Sequence, residues 1–255
     1  MPGHVKRRGR PEPGSIAEAL DIFGSEVRFY RQIASEAGVR VPACYLTADE
    51  PDGTLLVLED LSGWAPGADP AAAARVLAQM HARWAGRAAL RWPWLRPVGA
   101  AVDLVEDLYR RTWPDLARRG DLPPAVRELG GKLLGKVTES EFTAGRAGPL
   151  TLVHGDASAA NMRTSTTGEI ALLDWEDVSA APGIGDLAWL LVSSVEPARW
   201  QEVASAYGSA ERLLDALPAA AVQGLLSLSD SPEGSAAAAG WNARLMSAAA
   251  RLRAQ

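Results

Sequence analysis

The chain has 255 residues, 47% of them hydrophobic, which suits one bilobal domain or two small ones with a substantial buried core. Its 26 Lys and Arg against 31 Asp and Glu give a net charge of −5, so no basic field draws nucleic acid or an anionic membrane. The lone Cys44 excludes an intramolecular disulfide and a cysteine-based zinc site, and no apolar run nears the ~18 residues that span a bilayer. Residues 1–15 are basic with no apolar stretch behind them, so no secretory leader is expected and a cytoplasmic location is.

A short strand is expected over residues 3–8, then a loop over 9–14 enforced by two prolines and two glycines. Ser15 with Glu18 three residues on reads as a helix N-cap. Ile16, Leu20, Phe23, Val27 and Tyr30 then recur near helical spacing, weakened at Gly24 and stopped at Gly38. Residues 43–47 and 54–59 form a hairpin-like pair across 49–53, where Pro51 and Gly53 mark the turn.

Beyond residues 63–69 the pattern turns helical: Ala73, Val76, Leu77, Met80 and Trp84 share a face, and 101–118 and 122–143 continue the trend. One β island interrupts it, with strands at 150–153, 161–164 and 170–173, the last two around a Thr167-Gly168 turn. From 183 onward, alanine-rich helices carry Trp189, Trp200, Leu213 and Trp241, with breaks at Pro218 and 229–234. His81, Trp84, Trp189 and Trp200 fall on apolar helical faces and read as packing.

The island carries the chemistry. His154-Gly155-Asp156-Ala157-Ser158-Ala159-Ala160-Asn161 is followed, after an apolar strand, by Asp174-Trp175-Glu176. Phosphoryl transfer needs a carboxylate beside the acceptor hydroxyl and hard oxygen ligands for Mg²⁺. In kinases the carboxylate stands five residues before a metal-binding asparagine, with a further aspartate beyond the next hairpin. Asp156, Asn161 and Asp174 repeat that order, which ordinary turn-forming Asp and Asn do not account for.

On these residues the chain resembles the aminoglycoside phosphotransferase and choline or ecdysteroid kinase-like family, in whose catalytic loop Gly155 stands where protein kinases have arginine. Segments 26–30, 41–45, 56–61, 77–82 and 186–188 look like landmarks of the same family in the same order, so the resemblance covers roughly residues 5–200. It implies an α+β, protein-kinase-like bilobal fold. Residues 1–60 would form a reduced β-rich lobe with the lysine strand, first helix and hinge strands, and 61–255 a mainly helical lobe with the catalytic loop and metal site.

The resemblance further implies that ATP, or another nucleoside triphosphate, with Mg²⁺ phosphorylates a hydroxyl of a small molecule directly. Asp156 would be the base or orienting group; Asn161 and Asp174, helped by Glu176, would hold the metal. Lys6 would bind phosphate with Glu26 as its ion-pair partner, although Lys6 also lies in a basic run that reads as a solvated tail. Residues 58–61, including Glu59 and Leu61, would meet adenine through backbone groups. His154 would prop the loop, and Asp186 would cap a helix or hold the loop from behind.

The family places two strands and a phosphate-covering loop before the lysine, where this chain has five residues. The alternative reading is therefore a catalytically impaired kinase-like binding or scaffold protein. The acceptor is left open: the expected walls, 100–145 and 195–255, show no distinct polar cluster, and Asp103, Glu106, Asp107 and Glu233 are candidates for meeting a cation.

Overall fold

Alternation along the first strand, β1 (Gly3–Gly9), runs in an unusual sense: Lys6 and Arg8 are half-buried while Val5 is 61% exposed. Residues two apart share a strand face, so β1 aims two cations inward instead of an apolar stripe. In this computed structural model, which describes residues 3–50 and 52–254, β1 lies at a sheet edge. Residues 1, 2 and 255, at the ends of the two expected lobes, and Pro51 of the expected turn lie outside the described residues.

The single helix expected after the loop is two. Ser15 caps α1 (Ile16–Ala19), its Oγ accepting the Glu18 N–H at 3.2 Å, and α2 (Ile22–Gln32) starts afresh beyond Asp21. Asp21 holds a left-handed backbone at φ 45°, which ends the first run. Antiparallel strands β2 (Cys44–Glu50) and β3 (Gly53–Glu59) form the expected hairpin, and β3 pairs with β1 with Lys6 opposite Leu56. Val27, Phe29 and Tyr30 of α2 are buried in one core with Leu56 and Leu58 of β3.

The short β4 (Ala65–Pro66) leads to α3 (Pro70–Trp84), which Asp69 caps by accepting the Ala72 N–H, and to α4 (Ala88–Arg91). After α5 (Val102–Leu116), the helix expected over 122–143 divides into α6 (Pro124–Leu133) and α7 (Val137–Ala144). Gly135 between them has φ +75°, a conformation that favours glycine and ends a helix.

The β island holds β5 (Leu150–Val153), β6 (Met162–Thr164) and β7 (Ile170–Leu172). The β6–β7 hairpin forms as expected, but β5 pairs elsewhere, with β8 (Ser179–Pro182), an Ala- and Pro-containing strand of low intrinsic β preference.

Among the described residues, α8 (Ile184–Ser194), α9 (Trp200–Tyr207), α10 (Leu213–Ser229) and α11 (Ala236–Arg253) follow. Pro218 does not break α10. A mid-helix proline costs about 3 kcal/mol, and the burial of Leu217, Ala221, Leu225 and Leu228 carries the helix through. One core runs from Phe29 and Leu77 through Trp175 and Leu187 to Leu225 and Leu245. Among the described residues no helix is long and apolar enough to cross a membrane.

Candidate active site

β5 delivers the chain into the 154–161 loop, whose backbone is fixed from behind. His154 is fully buried, and Gly155 sits at φ +85° with the Asp177 carbonyl where a Cβ would lie, so only glycine fits. Asp186, on α8, accepts the N–H groups of His154 at 2.8 Å and Gly155 at 2.9 Å. His81 Nε2 lies 3.0 Å from the same carboxylate, and its Nδ1 lies 2.8 Å from the Tyr207 hydroxyl. Burial alone would push the Asp186 carboxyl up; His81 and the backbone donors outweigh it and hold it below the ordinary value. His154 Nδ1 accepts the Asp156 N–H at 3.2 Å, so Nε2 bears the proton and donates to the Leu173 carbonyl at 2.8 Å.

Asp156 is gripped at both oxygens. Oδ1 accepts the Trp189 indole N–H at 2.5 Å, and Oδ2 accepts the Asn161 side-chain amide at 2.7 Å. The Asn161 amide also bonds the Asp156 carbonyl at 3.1 Å, which closes the loop on itself. Reading Trp189 and His81 as packing alone therefore missed their polar ends. The signal was present in principle, because a buried imidazole or indole N–H needs a partner, but periodicity does not say which partner.

Across from this loop, the Lys6 ammonium gathers three carboxylates: Glu26 at 2.7 Å, Asp174 at 2.7 Å and Glu176 at 2.8 Å. Arg8, on the same strand face, adds a contact of 2.8 Å to Glu176. Burial alone would lower the Lys6 ammonium, yet Glu26, Asp174 and Glu176 override it and hold it above its ordinary value. Glu26, 2% exposed, is pushed up to about 7 by burial, against the pull of Lys6. Lys6 is thus no solvated tail.

The carboxylates are placed by the turn after β7. Asp174 holds a left-handed backbone at φ 61°, a strained conformation for a non-glycine residue. Trp175 behind it is fully buried and stacks on Phe29 of α2, with ring centroids 4.0 Å apart and planes 8° from parallel. The helix that carries Glu26 is thereby joined to the turn that carries Asp174 and Glu176.

Ligand oxygens of Glu26, Asp174 and Glu176 lie within 4.8 Å of one another, and the Glu26 Oε1 atom is buried without a hydrogen-bond partner. Hard carboxylate oxygens with surplus negative charge fit a divalent cation such as Mg²⁺. The grouping differs from the expected one: Glu26 joins Asp174 and Glu176, whereas the Asn161 amide rests on Asp156.

A cleft of about 640 Å³ opens between β1 and these loops, lined by Lys6, Glu26, Glu59, Leu61, Asn161 and Asp174. The Glu59 side chain is committed to Arg40, at 2.6 and 2.7 Å, and to the Ala43 N–H at 2.9 Å, and Arg40 holds its carboxyl below the ordinary value. Leu61 is 6% exposed. A second cavity, about 390 Å³, lies on the other side of the loop and is lined by Gly155, Asp177 and Trp189. Asp103, Glu106, Asp107 and Glu233 line neither. Glu106 accepts the Thr138 N–H, Glu233 accepts the Gly120 N–H, and Asp107 pairs with Arg110.

A family model described as the phosphotransferase enzyme family matches residues 10–222. No curated protein matches by sequence. Among solved structures, the chain is similar to an aminoglycoside phosphotransferase from Alicyclobacillus acidocaldarius, with 17% identity, TM-score 0.55, and 98% of this chain and 86% of that one covered. It is similar to one from Streptomyces rimosus, in complex with ADP and streptomycin, at 18% identity and TM-score 0.57, covering 86% and 85%. A choline kinase from Streptococcus pneumoniae gives 16% identity and TM-score 0.56, covering 97% and 85%. These likenesses establish the expected α+β, protein-kinase-like fold.

Proposed function

Because the chain belongs to the phosphotransferase enzyme family, we propose that it moves the γ-phosphoryl group of ATP to a hydroxyl of a small molecule, with Asp156 as the group that orients the hydroxyl and takes its proton. The observation that carries this reading is that the Asp156 carboxylate is hydrogen-bonded to one wall residue of each cavity. Its Oδ2 is tied to Asn161, on the wall of the larger cleft, and its Oδ1 to Trp189, on the wall of the smaller one. A donor in one and an acceptor in the other would meet at that carboxylate.

The acceptor oxygen forms a bond to the γ-phosphorus as the bond from that phosphorus to the bridging oxygen breaks. ADP leaves with the electron pair, and the hydroxyl proton passes to Asp156. Lys6 serves as the fixed cation facing the donor phosphates, and Glu26 keeps it extended. Asp174 and Glu176, with Asn161 and Glu26 nearby, would hold Mg²⁺, which when bound neutralises phosphate charge. On the cleft wall beyond β1, Leu61 beside Glu59 offers its backbone N–H to the base, the Glu59 N–H being given to the Ala43 carbonyl at 2.7 Å. Residues 1–60 act as the nucleotide-side lobe and 61–255 as the lobe that carries the loop. An ATP donor and a lone thiol suit a cytoplasmic setting.

The test is calorimetric titration with Mg-ATP combined with phosphate transfer to an acceptor panel. Asp156→Ala is expected to abolish transfer, by about a thousandfold or more, while nucleotide affinity stays within about twofold. Equal turnover by the variant would overturn the role of Asp156, and absence of nucleotide binding in the wild type would favour the scaffold reading.

A further inference from the structure

Ala216, Ala219, Ala220 and Gln223 recur along α10 at spacings that place them on one helical face, and that face walls the 390 Å³ cavity. Val102 and Val105 of α5 form another wall. Ile16 and Leu20, in and beside α1, also line it, and both are half-buried. Gly185 at the start of α8 lines the cavity too, with nothing within 4 Å of where its Cβ would be.

The cavity wall carries one cation, Arg96, and three carboxyls, Asp177, Asp186 and Glu141, two of which already have partners. Arg96 pairs with Asp177 at 3.2 Å and also donates to the Glu176 carbonyl. Asp186 is fully committed to His81 and the loop backbone. Glu141 is the one remaining carboxyl; burial pushes it above its ordinary value, against a backbone hydrogen bond from Gly99. Gln223 is neutral. A polycation would need several unpaired carboxylates here, because buried charge is stable only when paired.

We propose that the acceptor is a compact, uncharged and mainly apolar alcohol, whose body lies against Ala216, Ala219 and Ala220 and whose hydroxyl reaches Asp156 beside Trp189. This inference rests on the phosphotransferase reading for the transfer step, but the selectivity of the cavity can be measured without it. The volume, at the lower end of ligand pockets of about 300–1,000 Å³, suits a single ring or a short branched chain better than a linked set of sugars.

The experiment titrates 2-phenylethanol, geraniol and streptomycin separately into the full chain with Mg-ADP present, by calorimetry, and then measures phosphate transfer from ATP to each. Both uncharged alcohols should bind at least about tenfold more tightly than streptomycin. Ala219→Phe and Gly185→Val, each of which fills the cavity, should weaken the alcohols about tenfold or more and leave Mg-ADP affinity within about twofold. Glu141→Gln should change alcohol affinity less than about threefold, because no ion pair is lost. Tighter binding of streptomycin, or alcohol binding unchanged in both filled variants, overturns the proposal. Selective alcohol binding with no transfer to any acceptor supports the cavity assignment and removes the phosphotransferase reading; transfer to streptomycin alone does the reverse.

Discussion

Trp189 donates its indole N–H to Asp156 at 2.5 Å from a position three residues after Asp186 on α8, so two side chains on one helical face hold one loop at two points. Asp186 fixes the backbone of His154 and Gly155, and Trp189 fixes the Asp156 carboxylate. Ser194, farther along α8, accepts the Ala159 N–H at 2.8 Å and adds a third point. Trp189→Phe keeps the ring and removes the donor. A hydrogen bond to a charged group contributes about 1.5–3 kcal/mol, so kcat should fall about tenfold or more, with the KM for ATP unchanged, as steady-state assays would read. An unchanged kcat would reduce Trp189 to packing.

Asp174→Ala should weaken Mg-ATP at least about tenfold and remove the magnesium dependence of nucleotide binding, because one of three clustered carboxylates is lost. Titrations of wild type and variant with and without EDTA would measure both effects. Equal binding with and without the chelator in the wild type would dismiss the metal assignment.

Asp186→Ala leaves the His154 and Gly155 N–H groups and the His81 ring without their buried acceptor. Orphaned buried donors of this kind cost about 3–5 kcal/mol when the missing partner was charged. Urea unfolding should show a free energy lower by that order, whereas Asp107→Ala, at an exposed pair, should change it little.

Acid stability should depend on Asp121. Its carboxyl is hydrogen-bonded by Arg119, which holds it at about 2 against an ordinary 3.8, and it also accepts the Gly234 N–H. A carboxyl depressed in the folded state stabilises that state above its unfolded pKa, and the contribution is lost as pH falls toward the folded one. Melting temperatures measured from pH 5 down to about 2 should therefore fall more steeply in the wild type than in Asp121→Asn. Parallel curves would count against this ion pair as an acid-sensitive clamp.

How far the chain could be read in advance depends on whether a feature is local. The spacing from Asp156 to Asn161 lies within one loop, and the two side chains do touch, at 2.7 Å. Lys6 and Glu26 were paired through the resemblance, and they meet at 2.7 Å. Strand β8 escaped because Ser-Ala-Ala-Pro has no β-branched or aromatic residue and forms on distant partners, β5 and, by a single bridge, Arg96. The continuity of α10 past Pro218 depends on neighbouring helices that no local window contains. The partners of Trp189 and Glu59 lie 33 and 19 residues away, beyond any periodic pattern.

The stack of Phe29 on Trp175 has a mechanical consequence. Because those rings couple α2 to the turn after β7, a swing of α2 carries Glu26, Asp174 and Glu176 together and leaves their spacing intact. Lys6, ion-paired to all three carboxylates at 2.7–2.8 Å, ties β1 to the same unit, so any widening of the entrance on that side has to break those pairs.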